Sequence, residues 1–211
     1  MARKKRIWYQ GATYHVMSRG NRRGAIFKDA ADYLCFLEIM MLIRGKVPFR
    51  VHSLCLMTNH FHFALETMDV ALCKIMQKIL SLYAEEYNHR HGFSGHVFES
   101  RYNASIIEDE LYFLEVSRYI HLNPVKARMV REPIAYDYSS YAFFVRENTV
   151  QPKSTVECVL SELIDTSRVL SCFRHSPREQ YRMFVEGKIS HAEQELLIQK
   201  DMKENDMWLP W

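Results

Sequence analysis

Phe49–Glu66 reads FRVHSLCLMTNHFHFALE, and the turn signal Thr58-Asn59 divides it into two strand-like runs. In HFHFALE apolar and polar residues alternate, as they do in a strand with one buried face. The segment therefore predicts an antiparallel hairpin. Residues two apart in a strand point to the same side. His60, His62 and Ala64 then share one face, and Phe61, Phe63 and Leu65 share the other. The phenylalanine face needs a cover, and the histidines point away from it.

The flanking segments supply that cover. Upstream, ATYHVMS (Ala12–Ser18) reads as a strand ended by Gly20-Asn21, and DAADYLCFLEIMMLI reads as a helix with Asp29 as N-cap and Gly45 as stop. Downstream, DVALCKIMQKILSLYAEEYNHRHG carries Leu72, Ile75, Met76, Ile79 and Leu82 at helical spacing and ends at Gly92. A further strand is expected within His96–Glu108, followed by a third helix, DELYFLEVSRYIHLN, broken or restarted at Pro124. The order strand, helix, strand, strand, helix, strand, helix is that of a ferredoxin-like α+β fold. Its antiparallel sheet carries two helices on one face and leaves the other open for chemistry or for another helix. The polar stretch RENTVQPKST (Arg146–Thr155) reads as a linker. It separates a main domain, 1–148, from a helical C-terminal extension, 149–211, with the helical stretches VECVLSELIDTSRVLSCF and PREQYRMFVEGKISHAEQELLIQK and the tail MWLPW.

Composition limits the class of protein. The 211 residues are 48% hydrophobic and 25% charged, as in folded water-soluble proteins. No apolar run approaches the roughly 18 residues of a membrane span. MARKKRIWYQ has the charge of a signal peptide but no apolar stretch behind it. Five cysteines without a C-x-x-C pair fit a reducing compartment, so a cytoplasmic location is expected. Several of them lie in apolar runs and read as core residues. A net charge of +3 does not by itself indicate nucleic acid, but seven of the 28 basic residues fall within the first 23 positions without one acid. Lys4, Lys5, Arg6, Arg19, Arg22 and Arg23 in this cluster suit phosphate contacts. A solvated terminus would have the same composition.

Two neutral imidazoles on one strand face, about 7 Å apart along the backbone, can converge on one ion. The pair His89 and His91 serves as a control. Two helical positions put those rings about 200° apart, and they read as surface residues at a helix end. His60 and His62 need a further ligand. Glu66 lies on their face but about 13 Å beyond His62. In the third helix, Tyr112, Glu115, Tyr119 and Asn123 form a polar stripe beside an apolar one of Phe113, Val116 and Ile120. Tyr119 and Asn123, four apart, project from adjacent turns to the same place. Equally, Tyr119 could be a core residue and Asn123 a cap for a helix opening at Pro124.

MTNHFHFALE, GHVFESRYNASIIEDE and above all SRYIHLNPVKARMV resemble the REP-associated tyrosine transposases, a branch of the single-tyrosine HUH transposases and endonucleases. SRGNRRGAIFKD and YDYSSYAF match in the expected order, so the resemblance spans Thr13–Phe144. Tyr138 stands where the family often has tryptophan, a change that bears on packing.

The resemblance implies that His60 and His62 bind a metal, that Tyr119 is the catalytic nucleophile and that Asn123 adds a third ligand through its amide oxygen. It further implies a divalent ion, Mg²⁺ or Mn²⁺, and cleavage of single-stranded DNA at hairpins such as REP palindromes. A 5′-phosphotyrosine intermediate would precede strand transfer. Phosphate contacts would come from the basic residues already named and from Arg101, and exposed tyrosines could stack on bases. The chain would be a monomer or homodimer associated with a prokaryotic nucleoid, with no membrane partner. Two rivals accompany this expectation. One is a relative that grips hairpin DNA or structured RNA without cutting it. The other is a metal-dependent hydrolase that uses water and survives loss of Tyr119.

Overall fold

A computed structural model describes residues 7–147 and 152–187. Four strands, β1 (Thr13–Arg19), β2 (Phe49–Met57), β3 (His60–Thr67) and β4 (Asn103–Ile107), form one antiparallel sheet in the order β2-β3-β1-β4. Between them run α1 (Ala30–Lys46) and α2 (Leu72–His91), and α3 (Glu110–Lys126) follows β4. This is the expected ferredoxin-like α+β arrangement. Its two central strands are β3 and β1, so the histidine strand has a neighbour on each side.

The alternation in HFHFALE sorts the two faces. Phe61, Phe63 and Leu65 pack with Tyr14, Val16, Leu54 and Leu56 against Phe36, Met40, Ile75, Ile79 and Tyr83 of α1 and α2. On the other face Cys55, Met57 and Ala64 meet Phe113, Val116 and Ile120 of α3. The sheet is therefore the middle of three layers, and the tyrosine-bearing helix lies across the face that carries the histidines. Of the five cysteines, Cys55 is buried and Cys35 partly so, whereas Cys73, Cys158 and Cys172 are exposed.

Local signals explain most element ends. Asp29 caps α1 by accepting from the Ala31 and Asp32 amides, and Asp109 caps α3 by accepting from Tyr112. Gly92 closes α2 in the left-handed conformation, φ 64°. Gly45 does not stop α1, which continues one residue to Lys46. Pro124 does not break α3 either. It sits in the last turn, where only the Ile120 carbonyl loses an amide donor before the helix ends at Lys126. His91 is also not a simple surface residue, because its Nε2 lies 3.0 Å from the carboxylate of Asp32 in α1. Tyr138, at the tryptophan position, stacks on Tyr33 with ring centroids 3.5 Å apart.

After residue 154, the stretch expected as one helix is two. α5 (Thr155–Leu163) packs on α1 and adds Val156, Leu160 and Leu163 to the main core. α6 (Ser167–Ser171) and α7 (Pro177–Glu186) lie on the other side of the sheet, where Val169, Tyr181 and Val185 join α3 and the short α4 (Tyr141–Val145). Lys4, Lys5, Arg6 and the MWLPW tail lie outside the described residues.

Candidate active site

β3 places His60 and His62 on the α3 face at right angles, with ring centroids 5.2 Å apart and planes at 87°. α3 brings Tyr119 edge-on to His62 at 5.4 Å. One turn further on, Asn123 is buried and donates its amide N–H to the Tyr119 carbonyl at 2.9 Å, which leaves its side-chain oxygen for another partner. The fold thus brings His60, His62 and Tyr119 together from segments about sixty residues apart, with Asn123 one turn beyond Tyr119 on the same helix.

Two residues of this cluster were invisible as site residues in the sequence. His15 of β1 sits diagonally across from His62, whose register partner is Met17. Its Nε2 is 3.0 Å from His62 Nδ1, and its ring lies edge-on to Tyr119 at 5.7 Å. Lys126, three residues past Asn123, holds its ammonium 4.7 Å from the centre of the Tyr119 ring. A lone histidine in YHVMS and a lysine at a helix end carry no motif. Only the register β1 takes against β3 marks His15.

All three imidazoles are neutral near pH 7. Burial, reinforced by the Arg19 charge, takes the pKa of His60 to about 4. His62 lies well below the usual imidazole range through burial first and then the charges of His15, His60 and Lys126. His15 is partly exposed, and burial of its ring brings it to about 4. Neutral rings keep a lone pair for a cation. Among the described residues no three His, Cys, Asp or Glu side chains form a metal-sized group. An ion at His60 and His62 therefore needs a different third donor, and the Asn123 amide oxygen is chemically suited to that role. Glu66 is not that donor, since Arg50 at 2.9 Å and His52 at 2.9 Å already engage its carboxylate. His121 points away from Tyr119 and bonds Tyr181 and Ser140.

The basic residues divide. Arg22 and Arg23 are exposed and lie in a tight turn at φ 52° and 58°. That turn is pinned beside the histidines: Gly20 N–H donates to the Asn59 carbonyl at 2.8 Å, and the Asn59 side chain donates to the Arg23 carbonyl at 3.1 Å. Gly20 admits no larger residue, because a Cβ there would sit 2.1 Å from the Gly24 carbonyl oxygen. Arg19 pairs with Glu99 at 2.7 Å. Arg101 is exposed and lies two residues ahead of β4, outside the strand expected within His96–Glu108.

A family model described as "Transposase IS200 like" matches residues 9–123, more than half of the chain. The chain belongs to this family. As an IS200-like transposase it is a DNA-processing enzyme. The fold is similar to that of a REP-associated tyrosine transposase solved bound to a REP hairpin, with TM-score 0.61 and 18% identity over 72% of this chain and 89% of that one. A candidate transposase from Deinococcus radiodurans R1 has TM-score 0.40 and 16% identity over 56% of this chain and 95% of that one. Comparison with curated proteins finds no match. No helix among the described residues of this transposase is long and apolar enough to cross a membrane.

Proposed function

We propose that this IS200-like transposase cuts and rejoins single-stranded DNA beside hairpins by attack of Tyr119 on a backbone phosphodiester. The observation that carries the reading is the placement of Tyr119. Its ring is 5.4 Å from that of His62 and one helical turn from Asn123, whose amide oxygen has no hydrogen-bond partner among the described residues. His60, His62 and Asn123 would together hold a divalent ion, and two imidazole nitrogens with one amide oxygen suit Mn²⁺ or Mg²⁺. When bound, the ion would supply Lewis-acid polarisation of the scissile phosphate.

The rest of the chemistry falls to the chain. A phenol has a pKa of about 10 and is a weak nucleophile until its proton is lost or its charge is stabilised. Lys126, over the Tyr119 ring, favours the charge that develops there. The Tyr119 oxygen bonds to phosphorus as the bond to the 3′ oxygen breaks. The phenolic proton leaves, the departing oxygen takes one up, and the products are a 5′-phosphotyrosine and a free 3′-OH. One phosphodiester replaces another, so rejoining needs no external energy. Arg22 and Arg23, beside the histidines, would neutralise phosphates next to the cut. The REP hairpin held by the structural relative supports a hairpin substrate.

The test is a denaturing gel of protein mixed with labelled, hairpin-bearing single strands and Mn²⁺ or Mg²⁺. The strands would come from palindromes near the gene, and Tyr119→Phe and a chelator would serve as controls. A labelled protein band that requires both the ion and Tyr119 is expected. Cleavage that persists in Tyr119→Phe would mean a hydrolase. Tight binding without any adduct would mean a DNA-binding relative that does not cut.

A further inference from the structure

His60 and His62 each present one ring nitrogen to a neighbour and keep the other. Behind His60, Nδ1 lies 2.7 Å from the Asn59 side-chain oxygen. Asn59 cannot be reversed without loss, because its amide N–H₂ already donates to the Arg23 carbonyl at 3.1 Å. Its oxygen therefore faces His60, and an oxygen of that kind only accepts. The proton of neutral His60 sits on Nδ1, and the lone pair is left on Nε2.

Behind His62, Nδ1 meets the Nε2 of His15 at 3.0 Å. Two neutral imidazoles share one hydrogen bond by placing a single proton between them, and either ring can own it. If His15 donates, His62 carries its proton on Nε2 and has no outward lone pair. If His15 accepts, His62 matches His60, and both Nε2 lone pairs are open.

We infer that Asn59 and His15 are a pair of positioning residues that hold His60 and His62 in the same Nδ1–H tautomer, with both Nε2 atoms kept for a cation. The inference deepens the metal-dependent reading and rests on it. The two supports come from different elements, the β2–β3 turn for Asn59 and the diagonal contact from β1 for His15. A ligating imidazole held through its second nitrogen is fixed in rotation as well as in tautomer, and losing such a support typically costs about 10–100-fold in metal affinity.

The experiment has two readouts. The first is a two-bond proton–nitrogen spectrum of ¹⁵N-histidine-labelled, metal-free protein, assigned with His60→Gln and His62→Gln. The second is Mn²⁺ affinity from the free-ion electron resonance signal, for wild type, His60→Ala, Asn59→Ala, His15→Leu and His15→Gln, each checked for cooperative unfolding. Both ligand rings are expected as Nδ1–H, with affinity falling about 10–100-fold in Asn59→Ala and His15→Leu. His15→Gln, whose amide oxygen can accept, should restore most of it. A proton on Nε2 of either ligand overturns the inference. So does wild-type affinity in folded His15→Leu and Asn59→Ala while His60→Ala has lost it. Wild-type affinity no better than that of His60→Ala overturns the metal reading itself, and the inference with it.

Discussion

The hydroxyl of Tyr181 in α7 lies 2.7 Å from His121 Nδ1 and 2.7 Å from Ser117 Oγ, both in α3. His121 Nε2 continues to Ser140 Oγ at 2.8 Å, and that hydroxyl accepts from the Leu54 amide of β2 at 2.9 Å. A buried polar chain thus ties the C-terminal extension to the sheet through the helix that carries Tyr119. Ser117 and His121 flank Tyr119 at two residues on either side, on the far side of the helix.

Tyr181→Phe keeps the ring and removes only the shared hydroxyl. Ser117 and His121 would each lose a buried partner, at a cost of about 1–3 kcal/mol. Urea denaturation of the two proteins measures this, and an unchanged midpoint would show that the chain of hydrogen bonds contributes nothing net.

Acid should destabilise the protein well before its carboxylates titrate. Burial lowers the pKa of His121 to about 3, against about 6.5 for an ordinary imidazole. Between those values only the unfolded chain binds the proton. Stability is therefore full above about pH 6.5 and falls on acidification, by about 1.4 kcal/mol per pH unit for that one residue. His15 and His60, both at about 4, act in the same direction. Denaturation midpoints should be level from about pH 7.5 to about pH 6.5 and decline from there to about pH 5.

Lys126 holds its charge over the Tyr119 ring. Charge developing on the attacking tyrosine is drawn to that ammonium more strongly than the neutral ring is, and a gain of about 0.5–2 kcal/mol means that Lys126→Met should slow adduct formation about two- to thirtyfold. Lys126→Arg should retain most of the rate. Equal rates in Lys126→Met and wild type, from single-turnover time courses, would remove Lys126 from the chemistry.

Arg22→Ala should weaken DNA binding more at low salt than at high. For single strands the slope of log affinity against log salt should shrink by about 0.7 for each phosphate that the side chain no longer neutralises. Fluorescence anisotropy across a salt series gives that slope. A uniform loss at every salt concentration would point instead to a rearranged turn.

The sheet and its two covering helices are legible in the sequence because β3 alternates with period 2, α2 repeats with a period near 3.6, and caps and turn residues bound most of the remaining elements. His60, His62, Tyr119 and Asn123 stand out as candidates because two short spacings put each pair on one face of its element and the motifs around them resemble a known family. His15 and Asn59 cannot be read as partners of those histidines. The first contact depends on the register of β1 against β3, 47 positions apart, and the second on which way a turn amide faces. His91 passes for a surface residue because its partner, Asp32, is 59 positions away. Pro124 passes for a helix break because its effect depends on how near the helix end it falls. Asp165 and Thr166 between α5 and α6 leave too weak a signal to split that stretch.

Tyr119 and Asn123 occupy adjacent turns of one unbroken helix, while both histidines belong to the sheet. In the proposed chemistry the attacking oxygen and one metal ligand are thus bolted to a single rod. A tilt or slide of α3 that withdrew the tyrosine would also open the coordination shell. The nucleophile and the ion would arm and disarm together, like two terminals on one switch lever. A DNA end joined to Tyr119 would travel with that lever, so docking of α3 on the sheet would decide both when a strand can be cut and where its captured end is held.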